Sequence, residues 1–306
     1  MAAEASTPWS RAVVTGAGGF IGRHLVRHLR ARNIPVTGIG LAPAGGVDEV
    51  ADLRECSALD RFLDGATALF HLAGVADVGK SIADPLADFE ANVLTSVHAL
   101  ESARRAKCML VFPSSASVYD GAAPLPCRET AALGPRSPYG AGKLAVEGYC
   151  RVFGLAYGVD TRVARIFSVY GPGMRRHAIY DFVERLERAP KELTIRGDGG
   201  QTRDYIYVED AVRALVLIAR QGGAGGVYNV ASGQPRTMLQ VGTAVAAAMG
   251  LRDCRVMPDR RNNPGELYAM EADIAKLSAL GFRCETSFAD GLKATVAWLR
   301  ANRHAS

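Results

Sequence analysis

The sequence contains no long run of apolar residues. A membrane-spanning helix needs about 20 of them, and no such run occurs in the 306 residues. The N-terminal segment MAAEASTPWSR carries Glu4 and lacks the apolar core that is typical of a signal peptide. We therefore expect a cytoplasmic protein that makes no membrane contact.

Charge of one sign is not concentrated anywhere in the sequence. The 36 basic and 31 acidic residues give a net charge of +5 and are spread along the chain, so nucleic-acid binding is not expected. The six cysteines include no C-x-x-C pair, and too few histidines lie near them for a zinc site. We expect reduced thiols and no bound metal.

Glycine is the residue type in excess. The chain has 33 glycines, about 11% against a usual share of roughly 7%, which indicates tight turns or backbone close to a ligand. In the first half, short β-branched runs alternate with amphipathic segments, the pattern of a doubly wound parallel sheet. After Gly171 this alternation stops, and Pro and Gly interrupt the chain more often.

These patterns predict an α/β protein of two parts, with a doubly wound parallel sheet before Gly171 and a second lobe after it.

A glycine-rich turn follows the first predicted strand. Residues 15–22 read TGAGGFIG and lead into a predicted helix. Glycines in this setting let the backbone turn sharply and approach a pyrophosphate at the helix N-terminus, and a purely structural turn is the alternative. The predicted cofactor contacts in this segment are Gly16, Gly19, Phe20, Ile21 and Gly22.

The second predicted strand, residues 35–41, ends without the acidic residue that usually binds the ribose. An acidic residue at this point normally accepts a hydrogen bond from the adenosine ribose of NAD, but no carboxylate follows the strand until Asp48. Residues 42–47 also lack an Arg or Lys that would bind a 2′-phosphate. We expect NAD as the cofactor, with NADP left open.

Several motifs further along resemble those of one enzyme family. They are, in order, residues 113–119 (PSSASVY), 139–143 (YGAGK), 165–173 (RIFSVYGPG), 197–210 (GDGGQTRDYIYVED) and 227–233 (VYNVASG). Their order resembles the extended branch of the short-chain dehydrogenases/reductases, the NAD-dependent epimerase/dehydratase family that acts on nucleoside-diphosphate sugars. The resemblance covers nearly the whole chain.

The resemblance implies an α/β fold of two parts. Residues 1–168 and 206–231 are expected to form a Rossmann-type doubly wound parallel sheet that binds a dinucleotide. Residues 169–205 and 232–306 are expected to form a second, smaller α/β lobe that binds the substrate. The active site is expected in the cleft between them, at the carboxyl ends of the strands.

The resemblance implies that Ser115, Tyr139 and Lys143 are catalytic. A spacing of four residues places Tyr139 and Lys143 on one face of a helix. Lowering the pKa of a tyrosine from about 10 to about 7 takes roughly 4 kcal/mol, and one cation at about 5.5 Å supplies about 3 kcal/mol. With the positive nicotinamide as a second charge, Tyr139 would act as a base toward a sugar hydroxyl. Ser115 would hydrogen-bond the reacting oxygen.

The resemblance also implies further contacts with the cofactor. Some border the adenine, some follow the strand that ends at His71, and two belong to the catalytic set. They are Asp52, Leu53, Leu72, Ala73, Gly74, Asn92, Tyr139 and Lys143. The imidazole of His71 is expected to be structural.

The substrate contacts follow the family pattern less closely. Arg203 matches the arginine that binds the nucleotide diphosphate, and a surface ion pair is its alternative role. Ser168 stands where the family has Asn. Asn263 stands where the family has the Arg before Pro-Gly-Glu, so Arg261 is a candidate replacement. The basic turn at residues 175–177 is open to two interpretations, a phosphate or charged-sugar contact or a solvated turn.

The residues after Ser115 narrow the reaction. Ala116 and Ser117 stand where the family's 4,6-dehydratases carry an Asp-Glu pair, and the related decarboxylases usually keep an acid at the position of Ser117. Both reactions are therefore disfavoured. We expect a nucleoside-diphosphate-hexose 4-epimerase that acts on a UDP-sugar through a transient 4-keto sugar, with tightly bound NAD.

Three other functions stay open at this point. The first is an NAD(P)H-dependent reductase of a nucleoside-diphosphate 4-keto sugar. The second is a UDP-uronate 4-epimerase in which the Ser168 hydroxyl binds the carboxylate. The third, from a different class, is a dinucleotide-binding sensor without catalytic activity.

Two predicted helices indicate the oligomeric state. Residues 88–106 and 139–156 each carry an apolar face, which includes Phe89 and Val93 in one and Tyr149 and Val152 in the other. Such faces occur both in core helices and in subunit contacts, and family members commonly dimerise through such helices. We expect a homodimer held by a four-helix bundle.

Overall fold

The computed structural model describes residues 10–261 and 268–303. Its strands are β1 (Ala12–Thr15), β2 (Val36–Gly40), β3 (Glu49–Val50), β4 (Ala68–His71), β5 (Met109–Ser115), β6 (Thr161–Ile166), β7 (Ser168–Tyr170), β8 (Glu192–Ile195), β9 (Thr202–Tyr207), β10 (Val227–Val230), β11 (Pro235–Thr237), β12 (Arg255–Pro258) and β13 (Ala269–Met270). Its helices are α1 (Phe20–Arg30), α2 (Asp60–Leu63), α3 (Val78–Ala83), α4 (Pro85–Phe89), α5 (Thr95–Ala106), α6 (Pro138–Tyr157), α7 (His177–Arg188), α8 (Val208–Gln221), α9 (Met238–Ala248), α10 (Ala275–Ala279) and α11 (Phe288–Ala301). A π-helical turn spans Glu90–Leu94, and a 3₁₀ turn spans Ala116–Val118.

The central sheet is mostly parallel and doubly wound. Its seven strands lie in the order β10-β6-β5-β4-β1-β2-β3. Ala12 of β1 pairs in parallel with Val36 of β2 on one side and with Ala68 of β4 on the other, so the strand order reverses at β1. This arrangement confirms the predicted Rossmann-type fold, and ligands bind such sheets at the carboxyl ends of the strands beside the reversal.

The chain divides into two compact units. Within the described residues, the first unit contains 10–120, 132–165 and 212–228, and the second contains 121–131, 166–211 and 229–303 apart from the gap at 262–267. The division of the chain into a dinucleotide-binding and a substrate-binding part stays a prediction.

The second compact unit includes the short segment of residues 121–131. The backbone explains this position, because Cys127 N donates to Glu271 O at 2.8 Å and Cys127 O accepts from Asn229 Nδ2 at 2.9 Å.

Each unit has its own apolar core. In the first unit every residue of β1 and of β4 is buried, as expected for parallel strands covered on both faces. In the second unit, β7, β9, β11 and β13 form a small sheet, and β8 pairs with β12. The core of the second unit centres on Leu186, Leu193, Val241 and Leu292.

The helix predicted over residues 88–106 is longer and less regular than the sequence indicated. It begins at Pro85, where the Asp84 side chain accepts from Ala87 N at 3.0 Å, and it passes through the π-helical turn before α5. Of the apolar face expected for a dimer, Val93 is buried in the core, whereas Phe89 is 52% exposed.

No helix in the described part of the chain is long and apolar enough to cross a membrane. The cytoplasmic location stays a prediction. Within those same residues, no three His, Cys, Asp or Glu side chains cluster as metal ligands would, and the six cysteines are free thiols.

Candidate active site

The glycine-rich turn connects β1 to α1. Gly16 has φ +65°. A Cβ on Gly22 would stand 2.1 Å from Gly16 O, so the backbone at Gly22 packs directly against the backbone at Gly16. The helix follows Gly19 without a side-chain cap and without an acidic residue in its first turn. Phe20 and Ile21 therefore present uncapped backbone N–H groups, which suit an anion. The turn fits the pyrophosphate of a dinucleotide.

The loop after β4 lies against this turn. A Cβ on Gly16 would stand 2.6 Å from the Leu72 carbonyl carbon and 2.7 Å from Ala73 N. Thr15 Oγ1 accepts from Ala73 N at 3.2 Å. Gly74 follows with φ +143°. The structure thus brings together the backbone segments of β1 and β4 for which cofactor contacts were predicted.

The Asn92 side chain is committed to neighbouring groups. Its Oδ1 accepts from Val75 N at 3.0 Å, and its Nδ2 donates to Val75 O at 3.0 Å and to Asp88 Oδ1 at 2.8 Å. Asn92 therefore fixes the backbone that follows Gly74. A direct contact between Asn92 and the cofactor stays a prediction.

His71 is the last residue of β4 and is buried. Its Nδ1 lies 2.9 Å from Thr15 Oγ1, and its Nε2 lies 3.1 Å from Ser96 Oγ. Burial, and then the charge of Lys143, lower the pKa of His71 to about 3. The imidazole is therefore neutral at neutral pH and holds β4 to its neighbours.

The adenosine end of the predicted site differs from the usual pattern. Asp48 folds back onto β2: its Oδ2 accepts from Gly38 N at 2.8 Å, and its N donates to Gly38 O at 2.7 Å. Arg30 Nη2 donates to the same carboxylate at 2.6 Å. A Cβ on Gly38 would stand only 1.9 Å from Gly46 O, so only glycine allows this close approach. The first carboxylate after β2 is thus already engaged.

Asp52 and Leu53 follow β3 at the same edge of the sheet. The Asp52 carboxylate accepts from Arg54 Nε at 3.0 Å, and this bond lowers the pKa of Asp52. Leu53 is buried in the core, and its backbone oxygen lies 3.0 Å from His98 Nδ1. Their contacts with adenine stay predictions.

The start of α6 positions Tyr139 and Lys143. Ser137 caps the helix by accepting from Gly140 N at 3.1 Å, and Pro138 is the first helical residue. Tyr139 and Lys143 are both buried, and Lys143 Nζ lies 5.9 Å from the centre of the Tyr139 ring. The lysine ammonium thus lies near the Tyr139 ring, as the electrostatic argument for an acidic tyrosine requires.

Lys143 also contacts β5, the strand that ends at Ser115. Its Nζ donates to Pro113 O at 3.0 Å and lies 4.7 Å from the centre of the Phe112 ring. Burial lowers the pKa of Lys143 to about 8, while the carboxylate of Asp88 opposes this shift. A weakly compensated cation therefore lies beside Tyr139.

Ser115 begins the 3₁₀ turn that follows β5. Its Oγ accepts from Ser117 N at 3.2 Å and donates to Ser117 Oγ at 3.1 Å. Ser115 is half-buried. Ser117, treated as structural in the sequence, orients the hydroxyl that the resemblance identified as catalytic.

A buried ion pair supports the same elements, and the sequence analysis missed it. Glu147, one turn beyond Lys143 on α6, accepts from Arg165 Nη2 at 2.7 Å. Ser114 Oγ donates to Glu147, and Arg165 Nη1 lies 3.1 Å from Tyr119 Oη. The partner of Glu147 lies 18 residues away in a different element, so no local spacing in the sequence indicated this pair.

Of the predicted substrate residues, Arg203 is the one with a buried side chain. It lies in β9, opposite Arg236 of β11, and its Nη1 donates to Thr202 O at 2.7 Å and to Tyr268 O at 3.3 Å. The guanidinium is therefore anchored to the backbone of the second unit.

The other predicted substrate residues are less enclosed. Ser168 begins β7 and is half-buried, and Arg261 is exposed, with its N donating to Asp259 Oδ1 at 2.8 Å. Asn263 lies outside the described residues.

The basic turn Arg175, Arg176 and His177 lies at the start of α7. Arg175 Nη2 donates to Asn302 O at 2.7 Å, and its guanidinium lies 5.3 Å from the centre of the Trp298 ring. Arg176 precedes α7, and His177 has φ +67°. Arg175 thus packs on the C-terminal helix, an arrangement that neither interpretation of the sequence included.

Comparison with known proteins places these features in a family. The family model described as the NAD dependent epimerase/dehydratase family matches residues 12–231. The chain belongs to this family. Membership confirms the resemblance seen in the sequence, and NAD is the cofactor by which the family is defined.

Three relatives illustrate the range of this family. The UDP-glucose 4-epimerase of Mycolicibacterium smegmatis is 32% identical, over 95% of this chain and 98% of its own. The GDP-6-deoxy-D-mannose reductase of Pseudomonas aeruginosa is 33% identical, over 76% of this chain and 77% of its own. The crystal structure of the Thermus thermophilus UDP-glucose 4-epimerase in complex with NAD has a TM-score of 0.83 and 33% identity, over 95% of this chain and 99% of that one. The chain is thus similar in length and fold to enzymes of two reaction types.

Proposed function

We propose that the protein is a nucleoside-diphosphate-hexose 4-epimerase whose substrate is a UDP-sugar. One observation carries the proposal: Tyr139 and Lys143 are buried together at the start of α6, and no carboxylate follows Ser115 in the 3₁₀ turn. Such a set can move one proton to and from one hydroxyl, but it has no second acid to eliminate water. The similarity to UDP-glucose 4-epimerases supports the UDP-sugar.

The chain's own residues would handle the proton of the sugar hydroxyl. Tyr139, as a phenolate, would take the proton from the hydroxyl on carbon 4 and return it after the 4-keto sugar has turned over in the site. Ser115 Oγ, held by Ser117 N at 3.2 Å, would hydrogen-bond the same oxygen. The charge of Lys143 would favour the phenolate.

The cofactor would be held by backbone rather than by charged side chains. Gly16, Gly19 and Gly22 would hold the pyrophosphate at the start of α1, and Lys143 would bind the nicotinamide ribose. Lys143 donates one hydrogen bond, to Pro113 O, and an ammonium has three N–H groups. When bound, NAD supplies the hydride acceptor that oxidation at carbon 4 requires.

Arg203 would bind the diphosphate of the substrate. Its side chain is buried and anchored by two backbone carbonyl groups, so little conformational freedom is lost when it meets phosphate. Ser168 and Arg261 are further proposed contacts with the substrate.

The proposal is tested by identifying the bound nucleotide and the product. Denaturing the purified protein should release about one equivalent of NAD per chain, and the native protein should interconvert UDP-glucose and UDP-galactose without added cofactor. Tyr139→Phe should bind NAD normally and lose at least about 10³-fold in kcat. Normal turnover in Tyr139→Phe would show that the proposed base is wrong.

The reductase of a 4-keto sugar is the second candidate, and the end of β2 favours it. Gly40 ends that strand, and the first carboxylate after it is bound to Gly38 and Arg30, so no free acid discriminates against a 2′-phosphate. Protein that is isolated without nucleotide and that oxidises NADPH with a 4-keto sugar would support this function. Tight dinucleotide binding without turnover of any nucleotide sugar would support the sensor instead.

We further propose that the protein is a homodimer. The helical segment from α4 to α5 exposes Phe89, and α6 exposes Tyr149, Val152 and Leu155, the last by 78%. Exposed apolar side chains of this kind on neighbouring helices mark an interface between subunits. Light scattering should give twice the mass of 32.5 kDa, and Leu155→Glu should shift it toward the monomer.

A further inference from the structure

A second carboxyl group lies where α4 packs on α6, near the residue that precedes Lys143. Asp88, in α4, is buried, and its Oδ2 lies 3.8 Å from the point where a Cβ on Gly142 would stand. Gly142 directly precedes Lys143 on α6. The reaction proposed above does not use this carboxyl group, although a buried carboxylate is costly unless a partner stabilises it.

The orientation of Asp88 is fixed by a neutral group. Asn92 Nδ2 donates to Asp88 Oδ1 at 2.8 Å, while the same amide is held at both ends by the backbone of Val75. Asn92 lies in the π-helical turn Glu90–Leu94, and such turns occur frequently at functional sites. One oxygen of Asp88 is thus held by Asn92, and the other lies toward α6.

The other titratable groups around this lysine carry no uncompensated negative charge at neutral pH. On α6, Glu147 is paired with Arg165 at 2.7 Å, and burial raises the pKa of the Cys150 thiol to about 12. On β4, burial lowers the pKa of His71 to about 3, so the ring is neutral. Tyr139, on α6, is the proposed base itself. Asp88 is the remaining source of negative charge among these groups.

We propose that Asp88 is the counter-ion that keeps Lys143 protonated in its buried position. This inference rests on the proposed roles of Lys143 and Tyr139. The negative charge of Asp88 favours the protonated form of Lys143 against the loss of hydration, and a protonated Lys143 in turn favours the phenolate of Tyr139. Asp88 is therefore a positioning residue, which acts on the reaction through Lys143.

The direct test is an NMR titration of the purified protein carrying isotope-labelled lysine. The chain has six lysines, and the Lys143 signal is the one lost in Lys143→Met. Asp88→Asn, which keeps the size of the side chain, should lower the titration midpoint of Lys143 by at least about one pH unit. Glu90→Gln, a matched loss of an exposed carboxylate two residues away, should leave that midpoint unchanged.

An unchanged Lys143 midpoint in folded Asp88→Asn would overturn the proposal. A reciprocal measurement does not depend on that variant: Lys143→Met should raise the midpoint of the Asp88 carboxyl by the same amount, because a coupling acts equally on both partners. An unaltered Asp88 midpoint would also refute the pairing.

Turnover separates this proposal from the proposed function. In Asp88→Asn, the alkaline limb of the pH profile of kcat/KM should move to lower pH by the shift measured for Lys143. Asp88→Glu should return this limb most of the way to its wild-type pH. If the Lys143 midpoint moves but no variant converts a nucleotide sugar, the counter-ion stands and the proposed function fails. If conversion is normal and the midpoint does not move, the proposed function stands and the counter-ion fails.

Discussion

Two buried cations, Lys143 and Arg165, lie at successive turns of α6. Lys143 belongs to the helix, whereas Arg165 contacts it through Glu147. Arg165 is paired with the Glu147 carboxylate at 2.7 Å and also contacts Tyr119 Oη at 3.1 Å. These partners raise the pKa of Arg165 in spite of burial. Lys143 donates to one backbone carbonyl group, and burial lowers its pKa to about 8.

The difference shows which of the two buried charges is structural. A buried cation whose N–H donors are satisfied by an ion pair is structural, because its removal leaves the partner charge buried and unpaired. A cation that is desolvated without full compensation costs stability, and such costs concentrate at functional sites. Arg165 fits the first description, and Lys143 fits the second.

The largest expected effect is on turnover in Lys143→Met. Loss of the charge beside Tyr139 should lower kcat by about 10³-fold, while thermal stability should fall less than in Arg165→Met, because burial already disfavours this cation. Lys293→Met, at an exposed lysine, is the matched control and should keep full activity. Steady-state kinetics and thermal melting of both variants check the comparison. Retained activity in Lys143→Met would show that Lys143 is not the functional cation of the two.

Arg165→Met should show the opposite pattern. It leaves the Glu147 carboxylate buried and unpaired, which typically costs about 3–5 kcal/mol in the free energy of unfolding. The double variant with Glu147→Met should recover most of that loss, because two apolar side chains replace the pair. Urea unfolding measures both, and a single variant as stable as the wild type would show that the ion pair is dispensable.

The pH dependence of stability should distinguish Lys143 as well. Its folded pKa of about 8 lies below the 10.5 of a free lysine, so between these values the unfolded chain binds a proton that the folded chain does not. Stability should therefore rise with pH across this window, by up to about 3 kcal/mol relative to Lys143→Met. Below pH 8 the cost is fully present. A difference in the free energy of unfolding between the wild type and Lys143→Met that stays constant across this pH range would contradict the burial of a charged Lys143.

The smallest expected effect concerns His71. Its folded pKa of about 3 lies below the 6.5 of a free histidine, so its neutral ring contributes stability that is lost as the pH falls through 6.5. From about pH 7 to about pH 5.5, the wild type should lose about 1 kcal/mol more than His71→Gln does. Equal losses in the two proteins would mean that the ring is protonated in the folded state.

The sequence predicted the parts of the site that depend on local spacing. Gly16 and Gly22 are required by backbone contacts within one turn, and Tyr139 and Lys143 share a face because both lie on one helix. Asp88 could not be found in this way, since its significance comes from the packing of α4 on α6.

The end of β2 was predictable only in part. The lack of a carboxylate after Gly40 was visible in the sequence, but the return of Asp48 to Gly38 depends on how residues 42–47 fold over the strand. In the same way, the partner of Arg165 lies 18 residues away, in a different element. Such pairs are set by tertiary packing rather than by sequence spacing.

The most direct test of the account is the ionisation of Tyr139 in the NAD-loaded protein. The difference in absorbance between the wild type and Tyr139→Phe isolates this phenol from the other nine tyrosines. The account predicts a tyrosinate band that appears near neutral pH and that is absent in Lys143→Met. A phenol that stays protonated up to about pH 10, the range of a free tyrosine, would contradict it.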